Sequence, residues 1–84
     1  MPKLYMVSYD LTRPVRDYER LWAALARLGA KSVLKSQWVL RNQASAYDLA
    51  SHFAKFIDSD DKLIVNELTS NCAWVNTGDI TKAA

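Results

Sequence analysis

The apolar positions change their spacing several times along the chain, and each change predicts an element. From Leu4 to Tyr9 both the odd and the even positions are largely apolar, in a run too short for a stable helix. That pattern predicts a central strand covered on both faces. Leu11 to Arg16 reads as a loop, with Thr12 and Pro14 supplying the break. From Asp17 onward Tyr18, Leu21, Trp22, Leu25 and Leu28 fall on one helical stripe. Arg16, Asp17, Glu19, Arg20 and Arg27 take the wet side, and Gly29 is placed to end the helix in a left-handed conformation.

The second half repeats this order. Lys31 to Leu34 and Gln37 to Arg41 predict two short strands, or one bent strand, with Lys35-Ser36 at the turn. Ser45 with Asp48 three residues on marks a helix start, a relative of the Ser-x-x-Glu capping box. Ala46, Leu49, Ala50, Phe53, Phe56 and Ile57 are its expected buried face. Asp58 to Asp61 is a connecting turn and Lys62 to Leu68 a fourth strand. Ala73-Trp74-Val75 has the make-up of a short fifth edge strand, and Asn76 to Asp79 is turn chemistry. Two β-α-β halves predict an α+β, ferredoxin-like β-α-β-β-α-β sandwich: a four-stranded antiparallel sheet with two helices on one face. Residues 1–76 are expected to form this one domain and residues 77–84 a flexible C-terminal tail.

Two helices cover only one face of so small a sheet, so the two-sided first strand implies a second subunit on the other face. The length of 84 residues strengthens the point, because a chain this short buries only about 60% of its unfolded surface. A net charge of +2 gives no argument for nucleic acid by itself. A single cysteine, Cys72, excludes an internal disulfide and metal ligation by cysteine pairs. No apolar run approaches the length of a membrane span, and a cytoplasmic protein is the expectation.

Asp10, just past the C-terminal end of the first strand, is the sharpest chemical candidate. In one reading it caps the Leu11–Arg16 loop through backbone amides. In the other, a two-fold axis near it supplies a second carboxylate, and two carboxylates with waters suffice for Mg2+ or Mn2+. Arg13, Arg16, Arg20, Arg27, Lys31 and Lys35 concentrate positive charge in the first half. Arg13 and Arg16 beside Asp10 would form a phosphate-binding rim, against the simpler reading of a solvated helix face. His52, the sole histidine, has no implied partner and reads as structural or surface. Asp58-Ser59-Asp60-Asp61 lacks the glycine and distant glutamate of a calcium loop and reads as an acidic turn. Trp22 and Trp38 read as packing residues, with Trp74 open.

Val7-Ser8-Tyr9-Asp10-Leu11, Asp17-Tyr18-Glu19, Leu28-Gly29, Ser36-Gln37-Trp38-Val39-Leu40 and Asp58-Ser59-Asp60-Asp61-Lys62-Leu63 resemble the SinR-like family of short bacterial and phage proteins. The resemblance runs from about Leu4 to Trp74. That family looks like a branch of the superfamily of the small CRISPR-associated adaptation nuclease and virulence-associated protein D. The resemblance implies a homodimer, a fifth strand able to cross to the partner's sheet, and Asp10 as match of the nuclease's metal-binding aspartate. Ser36-Gln37-Trp38 matches the serine-x-aromatic step after the second strand. The loop after Asp10 departs from the nuclease branch, with fewer basic residues and a proline. The leading expectation is a homodimeric, Mg2+- or Mn2+-dependent endonuclease acting on RNA or DNA. Asp10 would be its catalytic and metal residue, with Arg13, Arg16 and Ser36 toward nucleic acid. The alternative is a non-catalytic dimeric module that binds nucleic acid or protein, in a toxin–antitoxin, defence or phage setting.

Overall fold

A computed structural model describes residues 2–12 and 18–82. Strand β1 (Lys3–Asp10) is followed by helix α1 (Glu19–Arg27), strands β2 (Lys31–Leu34) and β3 (Gln37–Asn42), helix α2 (Ala46–Phe53) and strand β4 (Lys62–Glu67). The described residues form an antiparallel four-stranded sheet in the order β2-β3-β1-β4, so β1 is central as its two apolar faces required. The β2–β3 hairpin forms, with a register shift at Val33. Asp10, placed by its sequence just past the strand, is instead the last residue of β1 and pairs with Lys62.

Local chemistry accounts for the helices. The α1 stripe buries Leu21, Ala24 and Leu25, with Tyr18 buried just ahead of it. Its end is a Schellman arrangement: Ala30 N donates to Leu25 O at 3.0 Å and Gly29 N to Ala26 O at 2.9 Å. Gly29 has φ +81°, where a side chain would be strained. Helix α2 starts at the expected cap, Ser45 Oγ accepting from Asp48 N at 3.0 Å. It continues as a single 3-10 turn, Ala54–Phe56. Leu21, Leu25, Leu49 and Phe53 share one core cluster with Tyr5, Val7 and Leu40, so both helices lie on the face of the odd-numbered β1 residues. His52 packs edge-on against Phe53 and Phe56, with centroids 5.3 and 5.5 Å away, in keeping with a structural role.

The opposite face carries Leu4, Met6, Ser8 and Asp10 from β1, with Val39 and Arg41 of β3 and Ile64 of β4 in register beside them. A partner was expected to cover it. The chain's own C-terminal segment covers part of it instead. Ala73 to Ile80 runs over Met6, Val33, Leu34 and Gln37, Ile80 is 7% exposed, and Arg41 Nη2 donates to Thr81 O at 2.6 Å. Val39 is consequently fully buried within one chain. The expected edge strand at Ala73–Val75 does not form: the segment crosses a sheet face, where its backbone has no strand edge to pair with. Within the region assigned to the tail, Ile80–Lys82 makes a 3-10 turn. Asp79 caps that turn by accepting from the Thr81 amide and hydroxyl, and these bonds hold its carboxyl below the usual range. Ile80→Ala is expected to destabilise the protein by about 2 kcal/mol, the low end for a buried aliphatic residue at the margin of a core. Urea denaturation checks it.

No helix among the described residues is long and apolar enough to cross a membrane.

Candidate functional site at the end of the central strand

Three elements meet at the C-terminal end of β1. The last β1 residues, the β2–β3 turn and the start of β4 surround Asp10 with two shallow grooves. One, of about 260 Å3, is lined by residues that include Asp10, Tyr18, Trp22, Lys35 and Ser36. The other, of about 250 Å3, lies on the helix-free face between Ser8, Asp10, Lys62 and Ile64. The structure thus brings two of the expected site residues together, Asp10 and Ser36. Tyr9 N donates to Ser36 O at 3.1 Å, which fixes the turn against β1. Arg13 and Arg16, the expected phosphate contacts, lie outside the described residues.

Tyr9 organises the helix side of this end. Its hydroxyl accepts from Trp22 Nε1 at 3.1 Å and Trp38 Nε1 at 3.0 Å, and donates to Lys35 O at 3.2 Å. One donor and both acceptor sites of the phenol are therefore used. The three bonds tie α1, β3 and the turn to the residue preceding Asp10. Both tryptophans are half-buried and pack against the core, as expected of packing residues. Tyr9→Phe leaves two indole N–H groups without their acceptor and is expected to cost about 2 kcal/mol. A shift in tryptophan emission, with near-native far-UV circular dichroism, would accompany the loss.

The residue that sequence reasoning missed is Asp61. Its side chain is 9% exposed and accepts four hydrogen bonds. Oδ1 receives Thr12 N at 2.9 Å, Thr12 Oγ1 at 2.9 Å and Tyr18 OH at 2.8 Å; Oδ2 receives Asp58 N at 2.8 Å. Partial burial pushes this carboxyl up, but the bonds from Thr12, Asp58 and Tyr18 outweigh it and hold the pKa at about 2. Asp61 therefore anchors the start of the loop after β1 to the turn before β4.

That anchor changes the reading of Asp10. The Thr12 amide, which a loop-capping Asp10 would have used, goes to Asp61. Asp10 is exposed and takes no hydrogen bond from the described residues. It forms no ion pair with Lys62 across the ladder, and the ion pair between described residues is Lys3 Nζ–Glu67 Oε1 at 3.8 Å.

Among the described residues, Asp58, Asp60 and Asp61 place carboxylate oxygens within 4.8 Å of one another. Both Asp61 oxygens are already committed to N–H and O–H donors, which suits an architectural turn better than a cation cage. Asp10 presents its oxygens to solvent, but one carboxylate with a neighbouring serine is too few protein ligands for a hard divalent ion. A second chain's Asp10 would complete a set of the kind Mg2+ or Mn2+ accepts, with waters filling the remaining positions.

No family model matches the chain.

Proposed function

We propose that this chain is one protomer of a homodimeric endonuclease, dependent on Mg2+ or Mn2+, that acts on RNA or DNA through an Asp10 pair. The observation that carries the reading is the division of labour between the two aspartates. Asp61 holds the loop, and Asp10 stands exposed at the end of the central strand with no structural task among the described residues. A solvent-facing carboxylate at a strand end, in a groove with a hydroxyl and a lysine, is a chemical arrangement that serves no fold contact among the described residues.

The β-α-β-β-α-β order, the strand order β2-β3-β1-β4 and the common core of both helices favour the ferredoxin-like fold. The SinR-like assignment rests on the segments around Asp10, Ser36 and Asp58–Leu63. Two features favour a dimer. Ile64 is 65% exposed on the helix-free face, beside Ser8 and Asp10. The Asp10 site is also incomplete in one chain. A two-fold axis near Asp10 answers both.

When bound there, the divalent cation would lower the pKa of a coordinated water and neutralise charge on the phosphate. Asp10 from each chain would hold the ion. Arg13 and Arg16, three and six residues on, would draw the phosphate backbone toward it. Ser36, fixed on its turn by Tyr9, offers a neutral hydrogen-bonding group on the helix side of the same groove. The test is cleavage of single-stranded and duplex RNA and DNA by wild type and Asp10→Ala, with Mn2+, with Mg2+ and with EDTA. Equal cleavage by the two proteins would refute the reading.

A second reading is favoured by the incomplete ligand set. A non-catalytic dimer that binds nucleic acid or protein needs no metal. It predicts binding that survives Asp10→Ala and no cleavage under any ion.

A further inference from the structure

Helix α1 carries a groove separate from the two at Asp10. It lies between α1 and the 3-10 turn after α2, and is lined by Arg20, Ala23, Ala24, Arg27 and Phe56. None of these residues lines either groove at Asp10. The two alanines and the Phe56 ring give an apolar strip, and the arginines flank the alanines about one turn to either side along the helix. Arg20 holds its guanidinium over the Phe56 ring, 5.7 Å from the centroid. Neither arginine forms an ion pair or hydrogen bond with a described residue, and no carboxylate lines the groove. Glu19, the one acidic residue of α1, pairs with neither. Two unneutralised guanidinium forks therefore bracket an apolar surface.

We propose that this groove docks an acidic amphipathic helix of a partner protein. Two carboxylates seven residues apart would meet Arg20 and Arg27, with an apolar residue between them against Ala23, Ala24 and Phe56. The charge calls for an anionic partner, and the spacing selects its form. Seven residues of α1 rise about 10.5 Å. A partner helix lying along the groove has the same rise, so its residues i and i+7 face both arginines at once. Side chains on one side of an extended strand recur every ~7 Å, so a strand matches only one arginine at a time. A nucleic-acid backbone would satisfy the arginines but would leave the methyl and ring surface between them without an apolar partner. The short side chains of Ala23 and Ala24 also admit the close approach that helix-on-helix packing needs. The docking is independent of Asp10 and of any cleavage.

The experiment is fluorescence anisotropy with a labelled, alanine-rich helical peptide of about 20 residues. It carries two Glu seven residues apart, with Leu at the third and fourth positions between them. A second peptide has the same composition with one Glu moved two residues on, to the far side of the helix. Wild type is expected to bind the first at least about tenfold more tightly than the second, and to lose affinity as potassium chloride is raised. Arg20→Glu combined with Arg27→Glu should weaken binding at least about tenfold. A peptide with Lys in place of both Glu should bind that double variant more tightly than it binds wild type. Arg20→Gln and Arg27→Gln should each cost about threefold. Lys82→Glu, exposed on the 3-10 turn at the helix-free face, changes net charge away from the groove and should stay within about twofold of wild type. Thermal melts confirm that the variants fold, and the Gln variants carry the test if the Glu variant does not. Wild-type affinity in the Gln variants, equal binding of the two peptides, or no binding of the first would overturn the inference. So would an RNA or DNA oligonucleotide that binds more tightly than the peptide and loses affinity in the same variants, which would assign the groove to a phosphate backbone.

Discussion

Asp61→Ala is expected to lower the melting temperature by about 10 °C, the largest stability effect of any acidic residue among the described residues. The substitution removes one acceptor and leaves four donors behind. Thr12 and Asp58 lose backbone partners, and the Tyr18 hydroxyl loses its buried acceptor. Tyr18 is 1% exposed, so water is a poor substitute there. The same site predicts a pH dependence. The folded carboxyl is held at about 2 against 3.8 for an unperturbed aspartate. A depressed carboxyl stabilises the fold above its unfolded pKa, and that stability is lost as pH falls through the folded value. Wild type should therefore lose stability progressively between about pH 4 and pH 2. Asp61→Asn should be less stable at neutral pH and show a flatter profile across that window. Asp79, also depressed, contributes to the window in both proteins, so the difference between them isolates Asp61. Urea midpoints at pH 7, 4, 3 and 2 measure it.

Asp10→Ala carries the largest expected effect on activity and nearly none on stability. Cleavage in Mn2+ should fall at least about a thousandfold, equivalent to about 4 kcal/mol of transition-state stabilisation. The melting temperature should stay within about 2 °C of wild type, because Asp10 is exposed and caps nothing among the described residues. The opposite behaviour of the two aspartates is the point. They lie on adjacent strands or their ends, yet one is committed to architecture and the other is available. A site shared between two chains adds a further signature: specific activity should rise with protein concentration through the dimerisation range.

The helices and strands were legible in the sequence because their causes are local. The Tyr18–Leu28 stripe, Gly29 and the Ser45 cap act within one or two turns. The two-sided apolarity of Leu4–Tyr9 likewise placed β1 at the centre of the sheet. The site was less legible because its determinants are long-range. Asp61 reaches Thr12 and Tyr18 across separations of 49 and 43 residues, and nothing in Asp58-Ser59-Asp60-Asp61 marks the fourth residue as the anchor. Tyr9 meets Trp22, Trp38 and Lys35 at separations of 13, 29 and 26 residues. The path of Ala73–Ile80 was hidden for the same reason. Its apolar residues fit a strand or a strap equally well, and only the uncovered sheet face decides between them.

The central claim is that two Asp10 carboxylates together make one metal site. The most direct measurement is Mn2+ binding by isothermal titration calorimetry and electron paramagnetic resonance, on wild type, Asp10→Asn and Asp58→Asn. The account predicts one ion per two chains for wild type and for Asp58→Asn, and none for Asp10→Asn. One ion per chain, kept by Asp10→Asn and lost by Asp58→Asn, would place the metal on the acidic turn and contradict it.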